Sequence, residues 1–239
     1  MPIDYADLEL LHADDFVTRD AWHHEGVGEL KDAPGGGMRM HCFGSKQGGP
    51  ACMAFFRPDL PDQIAIEYDL TVRSHGGLLI TYIAMRGLDG EDLIADTPSR
   101  LPPREGRMSD YFLADQGLQS YHISISRFND AGQHTGTSNW RRNPGSLLAG
   151  HGTDPCCQID TTYHIRITKD AGSCQLYVDG EFAHGFIDRD TAHHPIPDHG
   201  KLGFRVIGSD VMVDIANFRI HRIPPAPAIR KSHGLHRSE

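Results

Sequence analysis

Apolar and polar residues alternate along much of this chain. Ile64, Ile66, Tyr68, Leu70 and Val72 are interleaved with Ala65, Glu67, Asp69 and Thr71, the period-2 pattern of a strand with one buried face. The same alternation runs through 121–126, 163–167 and 174–178. It returns in Leu202, Phe204 and Val206, then in Val211, Val213 and Ile215. Parity then slips, because Phe218 and Ile220 are the next apolar pair, and this predicts a bulge near Ala216-Asn217. Segments 36–43 and 52–56 read as further strands bounded by Gly and Pro. No long segment carries a 3.6-residue period with capping signals.

The turns point the same way. Asp179-Gly180, between 175–178 and 181–187, is a two-residue hairpin signal that needs positive φ, and Gly208-Ser209-Asp210 separates the last two strands. Many strands without an internal repeat predict an all-β fold, a two-sheet antiparallel β-sandwich over 1–223, with fewer than about one residue in ten in helix. Residues 224–239, Pro-rich and then basic, read as a loose tail. Two long stretches, 87–119 and 129–159, read as irregular. Loops of that length in a compact domain usually build sites.

Composition narrows the function classes. The 239 residues hold 23 Lys+Arg against 32 Asp+Glu, a net charge of −9, which argues against a general nucleic-acid binder. No apolar run reaches the length of a membrane span, and no basic-then-apolar leader opens the chain, so the expected location is cytoplasmic, away from membranes. Five cysteines, none in a C-x-x-C spacing, are expected to be free thiols, including the adjacent Cys156-Cys157.

Certain segments resemble a known family. Asp14-Asp15-Phe16 with Trp22, Leu176 to Gly180, and Gly200 to Arg205 running into Asn217 to Ile220 resemble the opening, penultimate hairpin and closing strands of concanavalin A-like jelly rolls. Trp22 to Gly26, Gly90 to Leu93, Tyr121 to Phe128, Asn139 to Leu148 and Gly152 to Pro155 resemble the YesU-like family, a domain of unknown function in that superfamily. Over roughly 8–222 the resemblance implies a jelly roll and a connection with polysaccharides of the pectic or other uronate-containing kind. It carries no catalytic mechanism. Some superfamily members hold a structural calcium near the first and last strands, where Asp14, Asp15, Asp210 and Asp214 fall; no spacing requires the metal, and no other cofactor is implied.

Several side chains are candidates for saccharide chemistry. Glu67 and Asp69 share a strand face about 7 Å apart, but the glucanase pattern Glu-x-Asp-x-x-Glu is broken by Val72, so a solvated polar face is favoured. Glu91 and Asp92, in the first long stretch, are the carboxylate candidates for acid–base work, against a turn-capping role. His122, Ser124 and Ser126 face away from Ile123 and Ile125. His122 is therefore expected on the floor of a sugar cleft as the catalytic acid–base group acting with Glu91 or Asp92, with Ser124 beside it binding substrate; an exposed strand on the convex side is the alternative. Asn139, Trp140, Arg141 and Arg142 suggest an aromatic platform with an anion clamp, joined by Tyr111 and His151; an Arg–acid surface network with a half-buried Trp is the alternative. The reading is an enzyme cleaving glycosidic bonds of an anionic, uronate-containing oligosaccharide or polysaccharide, as a hydrolase or a lyase, with a non-catalytic lectin-like module as the alternative.

Overall fold

The computed structural model describes residues 8–44, 49–94, 101–190, 192 and 194–224. Among the described residues, fifteen strands carry the fold. The first seven are β1 (Leu10–Asp14), β2 (Trp22–Gly26), β3 (Glu29–Asp32), β4 (Met38–Cys42), β5 (Cys52–Phe56), β6 (Ile64–Val72) and β7 (Leu78–Gly87). A four-residue helix α1 (Ser109–Phe112) precedes β8 (Leu118–Ile125), β9 (Thr137–Asn143), β10 (Leu147–Thr153) and β11 (Thr162–Asp170). The rest are β12 (Ser173–Val178), β13 (Glu181–Ile187), β14 (Lys201–Ile207) and β15 (Val211–Arg222).

They form two antiparallel sheets. One runs β13-β12-β11-β6-β15-β4-β3 with β1 also on β15, and the other runs β10-β9-β8-β7-β14-β5-β2. Helix accounts for 3% of the chain, in keeping with the all-β expectation. The predicted bulge is present: register shifts between Ala216 and Arg219, and Asn217 takes a φ of +52°. Asp179 and Gly180 both adopt positive φ, as a tight hairpin turn requires. The stretch 129–159, read as irregular, instead contains the β9–β10 hairpin at one sheet edge. Residues 225–239 of the expected tail lie outside the described residues.

The inward faces of the two sheets make the main core around Trp22, Phe56, Tyr68, Phe204 and Phe218, whose rings meet edge-on or tilted except for Trp22 and Phe204, which stack. Its cohesion comes from apolar area removed from water. A second, smaller core lies on the other face of the seven-stranded sheet. There Leu93, Tyr111 and Phe112, from the stretch between β7 and β8, with Leu118 at the start of β8, cover Met53, Phe55, Ile80, Tyr82 and Met85. That stretch is held down by polar contacts. Arg104 pairs with Glu25 at 2.6 Å, and the Tyr111 hydroxyl donates to the same carboxylate at 2.7 Å. Gly26, at φ +82°, lets the end of β2 close on the chain entering β5, because a Cβ there would stand 1.9 Å from the Ala51 carbonyl oxygen. All five cysteines are unpaired, and the adjacent Cys156 and Cys157 diverge, the first buried and the second exposed.

Candidate functional site

The covering stretch leaves part of the seven-stranded sheet open, and a cavity of about 500 Å³ sits there. Its floor follows from strand parity. In β14, Leu202, Phe204 and Val206 point into the main core, so Arg205 and Ile207 point out; in β8, Tyr121, Ile123 and Ile125 point in, so His122 and Ser124 point out. Register lines these residues up in rows across the sheet. Arg205 pairs with Ile80, Ile80 with Ser124, and Ser124 with Asn139. The neighbouring row runs Gly203, Tyr82, His122 and Arg141. Met108 and Phe112 form one wall, and Arg127 and Ser146 complete the lining.

Of the residues picked out in the sequence, His122, Ser124, Asn139 and Arg141 meet in this cavity. His122 is buried, with Phe112 stacked on its ring at 4.6 Å and 5° between planes. Burial, with the positive fields of Arg141 and Arg205, lowers its pKa to about 3, so the imidazole is neutral at physiological pH. Asn143 Nδ2 lies 3.0 Å from His122 Nδ1 and donates to it, which places the ring hydrogen on Nε2. The ring is therefore a hydrogen-bond donor at Nε2. Arg141 donates to the Ser146 carbonyl at 2.6 Å. Arg127 donates to Thr137, and the Asn139 amide, turned with its oxygen toward it, accepts from Arg127 Nη1 at 3.0 Å.

The decisive residue was not among the candidates. Arg205 is 0% exposed, its Nη2 donates to the Gly106 carbonyl at 3.2 Å, and its Nε and Nη1 are buried with no hydrogen-bond partner. Among the described residues, no carboxylate lines the cavity beside it. A buried cation without a counter-charge is costly, so this is a cavity built around unbalanced positive charge on an acidic protein. The signal was in the sequence: the alternation of Leu202, Phe204 and Val206 sets Arg205 on the opposite face.

Other candidates fall elsewhere. Glu91 and Asp92 are not in the cavity: Glu91 accepts the Asp89 amide within its own turn, and Asp92 accepts the Ile94 amide and pairs with Lys201 at 3.1 Å. The turn-capping role describes both. Trp140 is fully buried against Phe186 between the sheets, because it alternates with the outward Asn139 and Arg141. It is no platform for a sugar. Arg142, on the same inward side, pairs with Asp188 and binds the carbonyls of Asp190, His194 and Pro195, so it is no free anion clamp. Tyr111 belongs to the second core, and His151 is exposed on the edge strand β10, outside the cavity lining.

Glu67 and Asp69 lie on the other sheet, where Glu67 is paired with Arg166 at 2.6 Å and Asp69 with His164 at 3.0 Å. The aspartates considered for calcium are engaged separately. Asp214 is clamped by Arg39 and Arg73, Asp210 meets His41, Asp14 accepts from Trp22 Nε1, and Asp15 accepts the Val17 amide. Among the described residues no group of three or more His, Cys, Asp or Glu could hold a metal ion. No described helix is long and apolar enough to cross a membrane.

Comparison with known proteins places this architecture. A family model described as a domain of unknown function, DUF1961, matches residues 9–220. The chain belongs to the DUF1961 family. This DUF1961 chain is 30% identical over 160 residues to the uncharacterized protein YesU of Bacillus subtilis (strain 168), which is 65% of this chain and 70% of YesU. It is similar to a crystal structure of a Bacillus subtilis protein of unknown function with a galectin-like fold, with a TM-score of 0.78 at 21% identity, over 91% of this chain and 98% of the other. It is also similar in fold to the carbohydrate binding module CBM66 from Bacillus subtilis, with a TM-score of 0.53 at 13% identity, over 84% and 95% of the two chains.

Proposed function

We propose that this DUF1961 chain is a saccharide-binding protein whose cleft takes an anionic, uronate-type sugar. One observation carries the reading: Arg205 is buried on the cleft floor with two of its nitrogens unpartnered and no carboxylate among the described lining residues. Arg127 and Arg141 add to the same field, and guanidinium groups suit the planar, bidentate geometry of a carboxylate. Ser124, Asn139 and the His122 Nε2–H supply neutral donors and acceptors for ring hydroxyls. Similarity in fold to a carbohydrate binding module supports a saccharide as the ligand class.

Binding is favoured over cleavage. Two-carboxylate hydrolysis needs a pair of acids about 5–10 Å apart across the scissile bond, and the described cleft lining contains none. A β-elimination base at His122 would need a free nitrogen lone pair facing the ligand. Asn143 takes up the Nδ1 lone pair, and Nε2 carries the hydrogen. The test is titration with a panel of acidic and neutral oligosaccharides, with reducing sugar and unsaturated-uronate absorbance followed in the same samples. Saturable binding of acidic members without product supports the reading. Neutral members binding as tightly as acidic ones, or product appearing, overturns it.

A further inference from the structure

Beside the arginine cleft lies a second cavity, of about 240 Å³, at the loop end of the sandwich. Its lining includes His75, Phe128, Asp130 and Ser209 over a floor of Gly76, Gly77 and Gly208. The two cavities adjoin. Leu78 and Ile207, which face each other directly in the β7–β14 register, line both, and the consecutive residues Arg127 and Phe128 line one each. We propose that they are adjoining subsites of one saccharide groove, and that the second receives an uncharged sugar unit next to the acidic unit held by the arginines. The proposal rests on the saccharide reading above and narrows it to an acidic unit with a neutral neighbour.

Three observations support this division. The first is the floor. Gly77 sits at φ +61° with the Ile207 carbonyl oxygen 1.6 Å from where a Cβ would stand, and a Cβ on Gly208 would stand 2.4 Å from Val211. Only glycines let these turns close together, and they leave the floor free of side chains. The second is the wall. His75 stands edge-on to Phe128 with centroids 5.6 Å apart, an amphipathic pair of the kind that meets the apolar face of a sugar ring while keeping a polar edge.

The third observation is charge. Among the described residues, the first cavity has three arginines and no carboxylate, whereas the second has Asp130 and no Lys or Arg. Asn129 spends its side-chain oxygen on the amides of Ala131 and Gln133, which fixes the turn carrying the exposed Asp130. A second uronate would therefore meet a like charge in the second cavity, where a neutral hexose would meet a hydrogen-bond acceptor. Discrimination of this kind works by repulsion of the wrong occupant.

The experiment is calorimetric titration of the full chain with a hexuronic acid, a hexuronosyl–hexose disaccharide in either linkage order, and a dihexuronide. The gluco and galacto series are both used. The mixed disaccharide in one linkage order should bind about tenfold more tightly than the free acid, the scale of one added subsite contact, and the dihexuronide should not. In Ser209→Trp, which fills the second cavity from an exposed loop, the ratio of mixed disaccharide to free acid should fall to about one. In Asp130→Asn the dihexuronide should approach the mixed disaccharide. Unchanged melting temperatures establish that both variants fold. A mixed disaccharide no tighter than the free acid, or a dihexuronide equal to it in the natural protein, overturns the second subsite while leaving the arginine cleft standing. Failure of every acidic saccharide, the free acid included, overturns both.

Discussion

Arg142 donates from Nη1 to Asp188 Oδ2 at 2.8 Å, and the two side chains are only 6% and 7% exposed. The same carboxylate oxygen accepts from the Tyr121 hydroxyl at 2.6 Å. This contact ties β8 and β9 of one sheet to the end of β13 in the other, so Arg142 is part of the fold. Its neighbour Arg141 faces the cleft. Arg142→Met should destabilise by about 3–5 kcal/mol, because it strands a buried carboxylate. Arg141→Met should cost less than about 1 kcal/mol and act on ligand binding instead. Urea unfolding of the two variants separates these roles; equal losses would contradict them.

The strand pattern made much of this legible. Alternation placed β6, β8, β11, β12, β14 and β15, put the bulge at Asn217, and set His122 on the outward face. Inward positions in 137–143 are Ser138, Trp140 and Arg142, with only one apolar residue among them, so no hydrophobic period marked β9 and the choice of face was hidden. Glu91 and Asp92 were misplaced for another reason. The Lys201 that engages Asp92 is 109 positions away, and no local signal brings the two together. Arg205 is legible by parity, but nothing local marks it as a site residue, because it lies within an ordinary alternating strand.

Arg205 also gives a test on stability. Its guanidinium is buried with two unpartnered nitrogens, so the folded chain carries a desolvation cost there. Arg205→Met keeps the bulk and removes the charge. The variant should be as stable as the natural protein or more stable, by about 1–3 kcal/mol, while losing affinity for acidic saccharides. Thermal denaturation without ligand reads the first effect. A melting temperature several degrees lower would show that Arg205 is satisfied in solution and would remove the argument for an anion.

Acidity offers a separate handle on His122. Its pKa falls from an ordinary 6.5 to about 3 on folding, chiefly through burial. Between those values the unfolded chain binds a proton that the folded chain refuses. The stabilising share of this residue is therefore complete above pH 6.5, declines as pH drops through the window, and levels off below about 3. Its slope is at most about 1.4 kcal/mol per pH unit. Urea unfolding of the natural protein and of His122→Gln at pH 7.5 and 4.5 isolates this share, since other titrations are common to both. The stability difference between them should shift against the natural protein at pH 4.5; parallel losses would place a charged imidazole in the folded state.

The central claim is that a negative charge on a saccharide is what the Arg205 cleft recognises, and one comparison isolates that charge. An oligouronide and the same oligosaccharide with its carboxylates reduced to alcohols are titrated into the natural protein and into Arg205→Met. The natural protein should bind the oligouronide at least about tenfold more tightly, a difference of about 1.4 kcal/mol, and the margin should shrink as salt is raised. In Arg205→Met the two ligands should bind alike. Equal affinity of both ligands for the natural protein, or an undiminished margin in Arg205→Met, would contradict the account.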